Sequence, residues 1–127
     1  MCLWILKGAK PNVAQKAFKV YKVLTSDNDA PYRPEYTYHH GLNLPVKEPP
    51  KQHADEFSMV SLGSGYLFAF VCREAAENNI KTFEFKSPGM KFKIVEMEVP
   101  AGTEYFGESS DVIGMGEIAA RALEWKQ

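Results

Sequence analysis

The sequence predicts an α+β fold in one domain, mainly antiparallel sheet with one short helix over about 73–79 and a hairpin at 82–99. Three observations predict it. Residues 18–24, Phe-Lys-Val-Tyr-Lys-Val-Leu, open with the polar–apolar alternation of a strand and are rich in β-formers. Residues 66–71, Tyr-Leu-Phe-Ala-Phe-Val, are a continuous apolar run of strand length with three aromatic rings, the pattern of a buried strand at the centre of a core. Residues 74–78, Glu-Ala-Ala-Glu-Asn, are helical by propensity, with Asn79 placed to end the helix. The chain has 127 residues and 14.3 kDa. That length suits one domain and a core that needs neither metal nor disulfide.

In chain order, Met1-Cys2-Leu3-Trp4-Ile5-Leu6 is apolar and stops at Lys7-Gly8, which reads as a first strand or a packed arm. It lacks the basic region and cleavage site of a secretory signal. Asn12 and Gln15 have capping-box spacing, predicting a helical turn over 13–17. On the strand at 18–24, Phe18, Val20, Lys22 and Leu24 share one face, and Lys19, Tyr21 and Val23 the other. Apolar groups on both faces predict a central strand covered on both sides. Residues 25–33 are loop by their Asp, Asn and Pro content. Tyr36 to His39 is a short strand ending at Gly41, and Leu42-Asn43-Leu44 can only be an edge strand beside Pro45, Pro49 and Pro50. Residues 45–56 are a polar surface loop, and Gly63-Ser64-Gly65 is a flexible lead into the buried strand. Cys72, following that strand, reads as a buried free thiol.

The hairpin pairs Thr82-Phe83-Glu84-Phe85-Lys86 with Lys91-Phe92-Lys93-Ile94 across Ser87-Pro88-Gly89-Met90, where Pro and Gly suit a type II turn. The apolar phase then flips to Val95, Met97 and Val99. A period-two pattern flips only through a bulge or burial on both faces, and a bulge or strong bend near Ile94-Val95 is expected. Pro100-Ala101-Gly102 turns the chain into a short strand at Glu104-Tyr105-Phe106. Residues 117–125 are ambiguous. A helix would align Ile118, Ala122 and Trp125; a strand would align Ala119, Arg121, Leu123 and Trp125. A strand closing the sheet is the reading carried forward.

Composition narrows function. A net charge of −1 argues against general attraction to nucleic acid or an anionic membrane, leaving room only for a local patch. No run approaches the roughly 20 apolar residues of a membrane span. Residues 1–54 carry eight Lys/Arg against four Asp/Glu, and residues 55–127 carry seven against twelve. Such asymmetry either favours self-association or is used up by pairing within the sheet; the second reading is preferred. Cysteine usage fits a reducing cytoplasm.

Few constellations carry chemistry. His39 and His40 are adjacent on a strand and point to opposite faces, and neither His53 nor Asp55 completes a zinc spacing, so no metal is expected. No cofactor is expected either. Gly63-Ser64-Gly65 is neither a nucleophile elbow nor a dinucleotide fingerprint. Glu96 and Glu98 share a strand face as a repelling pair, with Lys91 or Lys93 as the expected cross-strand partners. Tyr21, Tyr36, Tyr38, His39 and Tyr66 are the candidate binding residues, with Tyr36, Tyr38 and His39 near one surface.

The succession Val20-Tyr21-Lys22-Val23-Leu24, Tyr36 to Gly41, Gly65-Tyr66-Leu67-Phe68-Ala69-Phe70 and Val99 to Phe106 resembles a group of small uncharacterised proteins of bacteria and their phages. That resemblance spans most of the chain and implies no activity. A more distant likeness is to compact ADP-ribosyltransferase-like folds. It implies an NAD cleft with Tyr21 and Tyr66 flanking the nicotinamide and Glu104 stabilising an oxocarbenium-like state. Glu117 is the other carboxylate that could take that place. The first expectation for function is a non-catalytic cytosolic binding or assembly module, self-associating; the alternative is an NAD-binding enzyme of the ADP-ribosyl-transfer type.

Overall fold

The computed structural model describes residues 4–6, 10–31, 33–45, 59–61, 65–107, 112–113 and 116–126. Its frame is the pairing of β3 (Phe18–Thr25) with β9 (Phe92–Val99), eight consecutive antiparallel partners running from Phe18 opposite Val99 to Thr25 opposite Phe92. On its other side β3 meets β8 (Leu67–Phe70), with Tyr21 opposite Phe70. Beyond β8 lie β12 (Glu117–Ala120), β10 (Glu104–Phe106) and the edge strand β2 (Asn12–Val13). Beyond β9 lie β13 (Leu123–Trp125) and the other edge strand, β6 (Gly41–Asn43). The eight strands thus run β2-β10-β12-β8-β3-β9-β13-β6. A three-stranded sheet joins β1 (Trp4–Leu6), β7 (Met59–Ser61) and β11 (Val112–Ile113), and β4 (Asp29–Ala30) pairs with β5 (Arg33–Thr37). Among the described residues every pairing is antiparallel and there is one helix, so the fold is α+β.

The order of β12 and β13 fixes the curvature. Only Arg121 and Ala122 separate them, yet β8, β3 and β9 lie between them in the sheet. In a flat sheet four strand spacings would hold them about 19 Å apart. Three successive Cα steps reach at most about 11 Å. The sheet therefore curls until its two sides meet at Arg121-Ala122. Inside the curl sits the main core of Val20, Leu24, Leu67, Ala69, Met97, Val99, Ile118, Ala120 and Leu123, with Tyr38 packed among them.

The helix α1 (Arg73–Lys86) packs on the outer face, where Ala76 and Phe83 meet Val23, Phe70, Phe92 and Ile94. It corrects the expected short helix over 73–79 and removes the hairpin at 82–99. Residues 82–86 alternate at period two, but Ala76, Asn79, Ile80 and Phe83 also keep helical spacing, and extending a helix costs less than ending it. Asn79 is accordingly mid-helix and buried, its Nδ2 donating to Ala75 O at 3.3 Å. The turn itself forms as expected: Gly89 has φ +88° and Met90 N donates to Ser87 O at 3.2 Å. It joins helix to strand instead of strand to strand.

Three further expectations change. No bulge occurs at Ile94-Val95, since the β3–β9 register is unbroken. The phase flip is met by burial on both faces: Phe92 and Ile94 pack under the helix, while Val95, Met97 and Val99 face the curled interior. Residues 12–13 are strand and not the start of a helical turn, because Ala14 exchanges hydrogen bonds with Gly102 and Thr103. Cys72 is exposed, because the apolar strand ends at Phe70 and Cys72 becomes the helix N-cap. The ambiguous segment 117–125 is strand, in two pieces. The loop expected over 45–56, apart from Pro45, lies outside the described residues, and with it His53 and Asp55, as do Cys2 and Gly63-Ser64.

If curling is held by residues on both sides of the Arg121-Ala122 bend, Leu123→Ala lowers stability by about 2–4 kcal/mol, whereas Leu42→Ala, on an exposed edge, changes it by less than about 0.5 kcal/mol. Urea denaturation followed by tryptophan fluorescence measures both.

Candidate functional site

The five candidate binding residues fall into three separate environments. Tyr36 and Tyr38 are neighbours, their ring centroids 4.8 Å apart. Tyr38 is buried in the interior, and Tyr36 donates its hydroxyl to Leu44 O at 2.5 Å. Burial raises the Tyr36 phenol above its ordinary pKa. His39 is exposed, its backbone N–H held by Asn43 Oδ1 at 3.1 Å. Tyr21 lies on the outer face beneath Arg73, whose guanidinium carbon is 5.4 Å from the ring centroid. Tyr66 is buried against Phe106, with the Arg121 guanidinium over its ring and bonded to Gly65 O. Burial raises the Tyr66 pKa, against the lowering effect of Arg121 and with a further rise from Glu104.

The register separates the two rings meant to flank a nicotinamide. Tyr21 opposes Phe70, four residues from Tyr66, which is about 13 Å along a strand. One planar ring does not bridge that gap. Glu104 is exposed on β10 and lies near Tyr66, away from Tyr21.

Two buried polar groups stand out: Lys22, which the sequence pattern does not mark as a site, and Glu117, which the distant likeness offers as the alternative carboxylate. Lys22 faces the curled interior, where its Nζ donates to Phe68 O at 2.6 Å and lies 5.0 Å from the Tyr38 ring centroid. A buried ammonium is tolerated only with such partners. Glu117 is 3% exposed and opposes Phe70, which opposes Tyr21, so the three form one row across β12, β8 and β3. Burial raises the Glu117 carboxyl above its usual range, opposed by the positive charge of Lys22. Beside it Gly116 adopts φ +75°, and a Cβ there would approach Ala75 Cβ to 3.1 Å, so glycine lets the helix seat on β12.

Asn43, like Lys22, is a residue that the sequence pattern does not mark as a site. At 1% exposure its amide donates to His39 O (2.9 Å), Gly41 O (3.2 Å) and Leu123 O (3.4 Å), pinning the edge strand β6 to β13. Its neighbours Leu42 and Leu44 are 50% and 56% exposed. The helix covers only part of the outer sheet face, and next to β6 that face forms a groove of about 520 Å³. Lys19, Glu96, Glu98, Glu124 and Lys126 line it together with Trp125. The acids are paired there with partners other than the expected Lys91 or Lys93: Glu96 with Lys19 at 3.9 Å and Glu98 with Lys126 at 2.8 Å. Lys19 is cross-strand to Glu98 and Glu124 opposes Glu98, so both strands flanking β9 contribute to the groove. His40 stacks on Trp125, their ring centroids 4.2 Å apart.

No group of three or more His, Cys, Asp or Glu able to hold a metal ion occurs among the described residues. No helix among them is long and apolar enough to cross a membrane.

The raised carboxyl of Glu117 sets a sign for pH dependence. The native state holds that proton more tightly than the unfolded chain, so this group's contribution is full below the unfolded carboxylate pKa and is lost as pH rises through the folded one. Glu117→Gln is therefore expected to raise Tm relative to the parent at pH 7, with the difference shrinking toward zero near pH 4. Thermal melts across that range check it. Comparison with known proteins finds no matching family model, no matching curated protein and no matching solved structure.

Proposed function

We propose that the protein is a small cytosolic, non-catalytic assembly module that associates with a second copy of itself through β6 and the adjoining groove. The observation that supports this reading most is the pairing of two half-exposed leucines, Leu42 and Leu44, with an edge strand that has no outer neighbour among the described residues. Antiparallel pairing of β6 with its own copy, centred on Asn43, sets Leu42 opposite Leu44 of the second copy and the reverse. An isologous contact closes on itself and buries all four leucines on one face. The groove beside them carries both signs of charge, Lys19 and Lys126 among Glu96, Glu98 and Glu124. Such a mixed surface suits a two-fold partner better than a strongly charged one. The groups that would do chemistry are instead engaged within the fold: Lys22 and Arg121 bond backbone carbonyls, as does Tyr36.

Light scattering over a concentration series is expected to give a mass that rises above 14.3 kDa with concentration, and Leu42→Lys with Leu44→Lys to hold it at the monomer value. A monomer at every concentration overturns the assembly reading. NAD at millimolar concentration is expected to leave Tm within about 1 °C; a clear rise would favour the ADP-ribosyl-transfer alternative through linkage.

A further inference from the structure

The end of α1 and the turn after it carry a different surface. Phe85, in the last turn of α1, is 85% exposed, and Met90, in the turn that follows, is 48% exposed. Phe83 points into the core, its ring 5.5 Å from that of Phe92; at 100° per residue, Phe85 falls on the far side of the helix. The turn is held by Ser87 N on Phe83 O (2.9 Å) and Met90 N on Ser87 O (3.2 Å), so both apolar side chains sit on an ordered tip. Around them the charge departs from the rest of the chain. Residues 55–127 hold seven Lys/Arg against twelve Asp/Glu, yet four of the seven, Lys81, Lys86, Lys91 and Lys93, fall within 81–93 beside a single acid, Glu84. All four lysines are exposed. The nearby turn at Ser26, bonded to Lys91 O at 3.2 Å, adds one more carboxylate, Asp27. Lys93 lies on the opposite face of β9 from Phe92, nearer Trp125, leaving Lys81, Lys86 and Lys91 around the tip.

We propose that this tip is a peripheral contact for an anionic lipid surface, with Phe85 and Met90 entering the interface and Lys81, Lys86 and Lys91 meeting headgroup phosphates. An apolar pair ringed by lysines is the arrangement that binds such a surface. Nucleic acid is disfavoured by the same residues: Met90 offers no ring for stacking, no arginine is present in 81–93, and Phe85 is the one exposed ring there. The inference is independent of the assembly reading, which concerns β6 at a different part of the sheet.

Sedimentation with vesicles of phosphatidylcholine containing about 30% phosphatidylserine tests it, against pure phosphatidylcholine vesicles. Binding is expected to the acidic vesicles only, and to fall on raising salt to about 0.5 M. Phe85→Ala is expected to weaken partitioning about tenfold, and Lys81→Gln with Lys91→Gln to abolish it, with thermal melts unchanged within about 2 °C because these three side chains are exposed. No sedimentation with acidic vesicles overturns the proposal, as does equal partitioning of Phe85→Ala. Salt-sensitive binding of the parent to duplex DNA by fluorescence anisotropy, without vesicle binding, overturns it in favour of nucleic acid.

Discussion

The structure depends on the unbroken ladder between β3 and β9. Eight consecutive pairs place every side chain of β3 on a fixed face, and each face meets a different partner. Val20 and Leu24 enter the curled interior, while Val23 meets the helix. A slip of one residue would exchange these sets and bring Lys19 inward. The same register places Lys22 in the interior, and the fold answers with the Phe68 carbonyl and the Tyr38 ring. A lysine so placed has value only when these partners are already assembled, so its burial restrains β8 and the Tyr38 segment as well as β3.

Much of the architecture was legible because local pattern and final packing agree. The central position of 18–24 follows from apolar groups on both faces, the edge position of Leu42-Asn43-Leu44 from the prolines that follow, and the turn at Ser87-Pro88-Gly89-Met90 from the φ its residues favour. The sequence fails to reveal what depends on distant contacts. Residues 82–86 satisfy both a strand period and a helix period, and only the burial of Phe83 against Phe92 decides between them. The flip at Ile94-Val95 needs no bulge because the helix that directly precedes β9 folds back over one half of it, which the period of residues 82–94 does not show. Among the site residues, Tyr38 and Tyr66 were visible as aromatic residues, but their burial was not. Asn43 acquires meaning only beside Leu123, eighty positions away, and nothing local marks it; Glu117 is named as a carboxylate by the distant likeness, but its burial depends on pairing with Phe70, forty-seven positions away.

Polar groups divide into two populations. Those inside, Lys22, Asn43 and the guanidinium of Arg121, spend their hydrogen bonds on backbone carbonyls and thereby hold strands together. Those outside pair loosely with one another along the helix-free sheet face, as Lys19 does with Glu96. Exposed pairs of that kind contribute little to stability and are free to exchange partners when another surface arrives. Apolar side chains are left in solvent on separate elements, Leu42 and Leu44 at the edge strand and Phe85 at the helix end.

The bend at Arg121-Ala122 also orders events in time. The strands on either side of it complete both flanks of the curled sheet, β12 against β8 and β13 against β9, and they come after all their partners in the chain. During synthesis the β3–β9 ladder can form while the wrap is still open, its interior facing water. Closure waits for residues 100–125 to emerge, since β9 ends at Val99 and β13 at Trp125, and until then the nascent chain presents an unfinished apolar concavity to whatever chaperone is nearest.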